Sequence, residues 1–247
     1  MKIVFSWDDG ALEDQKLFEL HEKYEIPGMF FVPTQNREGR AVLDPSMLQR
    51  AESKYISFGG HTENHAYLTS IPLENVEMEI LKNKLYLEEI LGHKVEDFCL
   101  PGGKYNQKII EKVYKHFKTI RTADTMNFSY TGGLLQPSFQ FYNRGYKSVV
   151  GNLMRHRNYY ELCEIMRHPR DGYFEMIKRM IKYQSQKDES VIAIWGHSWE
   201  LEEHCLWREL EDTFSYCKSN FKNEITEYRN IFEGIGKEKN ENNAYLS

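Results

Sequence analysis

The sequence predicts an α/β fold in which a mostly parallel sheet is covered by helices, either open or closed into a barrel. Three observations lead there. Short β-type apolar runs alternate with runs of helical period along almost the whole chain. No linker rich in Pro, Gly or Ser and no internal repeat divides it. Its 247 residues, 40% of them hydrophobic, suffice for one sizeable core without a disulfide or metal to hold it.

Taken in order, residues 2–6 form the first strand, and Leu17, Leu20 and Tyr24 follow at helical spacing. Residues 28–32 are a second strand rich in aromatic and apolar side chains. Asp44 before Pro45 reads as an N-cap with proline in the first helical turn. Residues 55–58 are a third strand, and Val76, Ile80, Leu87 and Leu91 mark one face of a helix of about four turns. Residues 98–100 are a short strand, Ile110, Val113 and Phe117 a helix face, and residues 119–122 another strand. The pattern loosens after Asp124. Gly132-Gly133, Pro137 and Gly145 punctuate residues 125–150, which read as loop with a short strand at 139–141. Helical segments resume at 151–166 and 173–186, residues 191–195 are the last strand, and Leu206, Leu210, Phe214 and Cys217 share one side of a final helix. A single domain over residues 1–235 is expected, followed by a polar, frayed tail at 236–247.

Composition excludes several classes. Lys and Arg total 32 against 37 Asp and Glu, a net charge of −5, which disfavours a general nucleic-acid binder. The longest apolar runs, such as residues 191–195, fall far short of the ~20 residues a membrane helix needs. Residues 1–7 are too short for the apolar region of a secretion signal, and Asp8-Asp9 follows directly. Cys99, Cys163, Cys205 and Cys217 are scattered without a CxxC pair, so reduced thiols and a cytoplasmic setting are expected.

In parallel sheets the active residues sit at the carboxyl ends of the strands. The first strand ends in Ser6-Trp7-Asp8-Asp9-Gly10, where two adjacent carboxylates repel each other; alone, Asp-Gly reads as a turn. The third runs into His61-Thr62-Glu63-Asn64-His65. Histidines at i and i+4 share one face of a helix and can hold one metal ion, or stand as surface histidines near a helix start. On such a helix Glu63 would lie about 200° from His61, so a base must come from elsewhere. The fourth ends in Cys99-Leu100-Pro101-Gly102-Gly103, whose glycines allow close backbone approach to a ligand. Residues 191–195 lead into Gly196-His197-Ser198-Trp199, which places a candidate acid or base at a strand end. The coincidence carries more than any one motif: an acidic pair, a histidine pair and a further histidine are the inventory of a hydrolytic metal site.

This set of motifs, in this order, resembles the polysaccharide deacetylase family, with its NodB homology domain, also called carbohydrate esterase family 4. The likeness spans roughly residues 2–200. It implies an irregular (β/α) barrel of about seven strands. It implies a divalent metal, most simply zinc, on Asp9, His61 and His65, with Asp8 as general base and His197 as general acid. The activity implied is removal of N-linked acetyl groups from an amino sugar or polysaccharide. Gly102 would offer a backbone N–H to the oxyanion. Trp7 and Trp199 flank the catalytic candidates; aromatics default to core packing, and Trp199 is the candidate surface for a sugar ring.

One departure bears on the site. Cys99 stands where the family has the arginine that holds the base aspartate, and a thiol lacks the planar cationic fork. Arg121, near the end of the next strand, is the candidate substitute. Gly102 replaces the family's aromatic residue, which would widen the cleft. Two rival readings follow: another non-peptide C–N hydrolase on the same scaffold, such as a deformylase or cyclic-amide hydrolase, or a non-catalytic carbohydrate-binding relative. Retention of Asp8 and His197 argues against the last, because binding alone needs neither base nor acid.

Overall fold

The computed structural model describes residues 1–187 and 189–232; the expected tail at 236–247 lies outside them. Strand β1 (Lys2–Asp8) runs through the middle of the sheet and is buried from Ile3 onward on both faces. That is why it reads as an uninterrupted apolar run rather than an alternation. It pairs in parallel with β2 (Gly28–Val32) on one side and with β9 (Val191–His197) on the other. Beyond β2 come β3 (Ile56–Gly60), β4 (Asp97–Cys99) and β5 (Thr119–Arg121), all parallel. The short β7 (Leu134–Leu135) adds to β5, β6 (Tyr130–Thr131) turns back antiparallel on β7, and β8 (Phe139–Gln140) adds to β9. The order is β6-β7-β5-β4-β3-β2-β1-β9-β8.

Curvature follows from connectivity. β7 and β8 stand seven places apart in the sheet, which would separate them by about 34 Å if it were flat. Only four Cα steps join Leu135 to Phe139, a reach of at most about 15 Å. The sheet must therefore curl until its two ends nearly meet, although no strand pairing joins them among the described residues. This is the barrel-like form that the motifs imply, with all seven expected strands present.

The two additional strands are the hairpin at Tyr130–Leu135. Its turn is the Gly132-Gly133 pair that reads as loop in the sequence, and Gly132 adopts φ +58°. A two-residue Gly-Gly connection at positive φ is a strong hairpin turn.

Helices α1 (Asp14–Tyr24), α2 (Pro45–Ala51), α3 (Leu73–Leu91) and α4 (Gln107–Tyr114) alternate with the first five strands. Asp44 caps α2 as expected, its carboxylate accepting the Met47 N–H at 2.9 Å. Phe117 lies past the end of α4 and packs on Phe98 from the following turn. The helical stretch expected at 151–166 is two helices, α5 (Tyr146–Arg155) and α6 (Tyr159–Met166), broken at Arg157 with φ +59°. α7 (Tyr173–Gln184) precedes β9, and α8 (Ser198–Glu203) and α9 (Trp207–Asn220) follow it. The six residues of α8 are too few for periodicity to reveal. No described helix is long and apolar enough to cross a membrane.

One polar knot in the core explains Trp7. It is wholly buried, and its indole N–H donates to His21 Nε2 at 2.7 Å. His21 Nδ1–H donates in turn to the Ile26 carbonyl at 2.7 Å. Trp7 therefore faces the core and not a ligand, the ordinary place for an aromatic side chain on a buried strand. Burial holds the His21 imidazole neutral, its pKa lowered to about 4 although the Ile26 carbonyl favours the charged form. The folded pKa lies below that of the unfolded chain, so the unfolded state takes up the proton first as pH falls. This contribution to stability is intact above pH ~6.5 and is lost progressively toward pH ~4, amounting to about 3 kcal/mol. Urea unfolding of wild type and His21→Gln across that range should show a shallower pH dependence in the variant. Parallel pH dependences would remove His21 from the account.

Candidate active site

The parallel strands bring the motifs to one end of the barrel. Asp8 and His197 are register partners on β1 and β9, and Cys99 and Arg121 are register partners on β4 and β5. His61 follows the last residue of β3. A cavity of about 440 Å³ opens there, lined by Asp8, Asp9, His61, His65, Gly102, His197 and Trp199 among others. Every motif at a strand end identified in the sequence contributes to it.

Successive side chains on a strand point to opposite faces, so Asp8 and Asp9 cannot both enter the cavity from regular β backbone. Asp9 breaks the alternation with φ +80°, and Gly10 continues the turn at φ +59°. Aspartate tolerates positive φ better than most residues, but at a cost.

The histidine pair departs from the helical expectation. Residues 61–65 form a loop, because Thr62 and His65 both have positive φ, +70° and +51°. The two imidazoles converge through loop geometry rather than helical spacing, with ring centroids 5.0 Å apart. Glu63 does point away from the cavity, to Lys82 at 3.1 Å. The loop is pinned by Asn83, a fully buried residue of α3 that the periodicity concealed. Its Oδ1 accepts the His61 N–H at 2.8 Å, and its amide donates to the Val32 carbonyl at 3.0 Å and Thr34 Oγ1 at 3.1 Å.

His61 Nδ1–H donates to the Cys99 carbonyl at 2.9 Å, leaving a lone pair on Nε2. That lone pair faces Asp9 Oδ1 at 3.5 Å, and His65 Nε2 lies 3.1 Å from the same oxygen. Asp9 Oδ1 is buried without a hydrogen-bond partner among the described residues. Burial opposes ionisation of Asp9, but its interactions with His61, His65 and His197 prevail and hold the carboxyl well below the usual carboxylate range. Three electron-donating atoms, one from each residue, thus lie within 4.8 Å of one another. One carboxylate with two imidazoles converging in a buried site could hold a divalent metal.

Asp8 is held from the other side. Its carboxylate pairs with the guanidinium of Arg121, which is wholly buried. Cys99 Sγ–H stands 3.5 Å from the second oxygen, and Arg121 reaches Cys99 Sγ at 2.9 Å. Burial pushes the Cys99 thiol well up, so it stays protonated and acts as a donor. Arg121 thus reaches the Asp8 carboxylate, the contact expected of the substitute arginine. Its burial removes it from any contact with substrate, which corrects the expectation that grouped it with the substrate-binding residues.

His197 Nδ1 hydrogen-bonds Glu200 at 2.7 Å, one turn into α8, while Nε2 points toward Asp9 Oδ2 at 3.9 Å. Burial lowers the imidazole pKa, but Glu200 and Asp9 raise it further, for a net upward shift. Gln140 donates to Glu200 at 2.9 Å and fixes it in turn. Glu200 went unread in the sequence because it acts through α8. Trp199 lines the cavity, but its N–H donates to Asp9 Oδ2 at 2.9 Å and the Arg40 guanidinium covers its ring at 3.7 Å. It braces Asp9 rather than offering a bare face to a sugar. Gly102, at φ +62°, lines the cavity; a side chain there would press on Tyr67 at 3.0 Å.

The family model described as polysaccharide deacetylase matches residues 1–118. Three similar solved structures bear the same kind of description. The Streptococcus pyogenes deacetylase PplD in complex with acetate is 22% identical over 51% of this chain and 56% of that one, with a TM-score of 0.46. This chain thus spans little more than half the length of PplD. A family 4 carbohydrate esterase from Streptomyces lividans in complex with acetate is 14% identical, over 87% of this chain and 88% of that one, with a TM-score of 0.54. The Bc1960 peptidoglycan N-acetylglucosamine deacetylase, solved with an N-oxidanyl-benzamide, is 14% identical over 94% and 87%, with a TM-score of 0.58. At these identities the last two likenesses establish the fold. No curated protein matches the chain. The resemblance read from the motifs is borne out by the family match and by the fold.

Breaking the buried pair should be costly. Arg121→Met is expected to lower stability by about 3–5 kcal/mol in urea unfolding, because it strands the Asp8 charge in the interior. Adding Asp8→Asn should recover part of that loss. A single variant as stable as wild type would show that the two do not form a buried ion pair.

Proposed function

We propose that this relative of the polysaccharide deacetylases, a family of hydrolases acting on N-acetyl amide bonds of carbohydrates, removes N-linked acetyl groups from an amino sugar or its polymer. One observation carries the reading. A carboxylate and two imidazoles meet at one point of a cavity, with a second, separately held carboxylate on one side and a histidine on the other. Asp9, His61 and His65 would hold the metal, and this ligand set suits zinc. When bound, such an ion polarises a carbonyl and makes water a stronger nucleophile at neutral pH.

The side chains then divide the labour. Asp8, fixed by Arg121 and the Cys99 thiol, takes the proton from the attacking water. The Gly102 N–H stabilises the oxyanion that develops on the amide carbonyl oxygen. His197, its Nδ1 held by Glu200, presents Nε2 to the cavity and delivers a proton to the departing nitrogen. Without that proton an amine is a very poor leaving group. The products are acetate and a free amino sugar. Arg121 at the carboxylate of Asp8 removes the ground for a non-catalytic reading, which rested on the missing arginine. The single sheet and its single set of motifs support one catalytic domain.

The test is acetate release from N-acetylglucosamine oligomers, run beside a formamide and a cyclic amide that represent other C–N substrates. Chelation should abolish release and zinc restore it. Asp8→Asn and His197→Gln are each expected to lower kcat about 10²–10⁴-fold with metal content retained. Full activity in Asp8→Asn would rule out its role as base, and turnover of the cyclic amide alone would reassign the substrate.

A further inference from the structure

The two histidines of the proposed metal site are braced unequally. His61 has its Nδ1 fixed on the Cys99 carbonyl at 2.9 Å, whereas His65 Nδ1 is buried with no hydrogen-bond partner among the described residues. The carboxylate facing it belongs to Glu38, with Oε1 3.6 Å away. Glu38 sits on the segment 33–42, which joins β2 to α2 and lines the mouth of the cavity.

That segment is tied to the ligand loops at both ends. Thr34 N–H donates to the Thr62 carbonyl at 3.3 Å and Gln35 N–H to the Glu63 carbonyl at 2.7 Å, so the chain runs alongside the histidine loop. At the far end Leu43 N–H donates to the Gly10 carbonyl at 2.8 Å, next to Asp9. Glu38 is itself steered, since Tyr67 Oη–H donates to the same Oε1 at 3.2 Å. Glu38 is not part of the three-residue ligand group and is 44% exposed, so it reaches the imidazole from the solvent side.

We propose that Glu38 is the positioning carboxylate of His65, which receives its Nδ1–H and so aims the Nε2 lone pair at the metal. The proposal rests on the metal reading above. Among the described residues no hydrogen bond of the kind that fixes His61 acts on His65. A carboxylate in this place selects the tautomer, orients the ring and makes it a better donor, and losing such a partner typically costs about 10–100-fold in metal affinity.

The experiment is the zinc dissociation constant of the full chain, measured by competition with a chromophoric chelator. Glu38→Ala is expected to bind zinc about 10–100-fold more weakly. Glu38→Gln, whose amide oxygen still accepts the Nδ1–H, should recover most of that loss, which a merely structural or purely electrostatic role would not produce. Glu63→Ala removes a carboxylate from the same loop that points away to Lys82, and should bind as wild type does. Wild-type affinity in Glu38→Ala, or an equal loss in Glu63→Ala, overturns the proposal and leaves the metal reading standing. Failure of the wild type itself to bind zinc overturns both.

Discussion

Two carboxylates on consecutive residues are buried together at the end of β1, each about 4% exposed. Like charges so placed, away from water, disfavour each other's ionisation and the fold itself unless each finds its own positive partner. Much of the surrounding structure answers that demand. Asp8 has the wholly buried guanidinium of Arg121 and the Cys99 thiol. Asp9 has the Trp199 N–H and two imidazoles, in a group that could hold a cation. The two environments differ: Asp8 is held by a guanidinium and a thiol, and Asp9 faces an indole N–H and two imidazoles.

The parallel sheet makes such separate compensation possible. Each strand delivers its last residue to the same rim, so groups distant in sequence arrive from different directions: Asp8 from β1, His61 from just after β3, Arg121 from β5 and His197 from β9. Curling of the sheet, forced by the short link between β7 and β8, turns a row of strand ends into a ring around the cavity. The segments beyond the rim then set orientation. Asn83 fixes the histidine loop, and Glu200 on α8 fixes His197.

How much of this was legible follows from what each residue's signal depends on. Strands buried on both faces read as apolar runs, so all seven longer or core-embedded strands were visible, and their carboxyl ends named Asp8, Asp9, His61, His65 and His197. The hairpin at Tyr130–Leu135 was not, since two-residue strands carry no period and Gly132-Gly133 reads equally as loop. The helix assumed for the histidine pair was wrong because spacing of i and i+4 says nothing of φ, and Thr62 and His65 occupy the left-handed region. Asn83, Glu200 and Glu38 act through hydrogen bonds to other side chains or to a neighbouring loop. Polarity on a helix or in a loop gives no hint of that. Asp14 is a partial exception. It shares its helical face with Leu17, Phe18 and His21, so its complete burial was implicit in the spacing, and burial pushes its carboxyl well above the usual range.

The exchange of arginine for Cys99 shows what a motif does and does not encode. Cys99 and Arg121 are direct neighbours across β4 and β5. A guanidinium entering from either strand can therefore reach the same carboxylate, and the chemistry is sensitive to the position of the charge rather than to the strand that carries it. With the arginine on β5, the residue at the β4 position must be small, uncharged and able to donate. A lysine or arginine there would crowd a second cation against Arg121, and an apolar side chain would leave the outer oxygen of Asp8 unserved. A thiol kept protonated by burial meets all three conditions. The degenerate third motif and the arginine at the end of β5 thus meet at one carboxylate, where Arg121 supplies the charge and Cys99 a second donor, and loss of Arg121 would leave Asp8 buried without its cation.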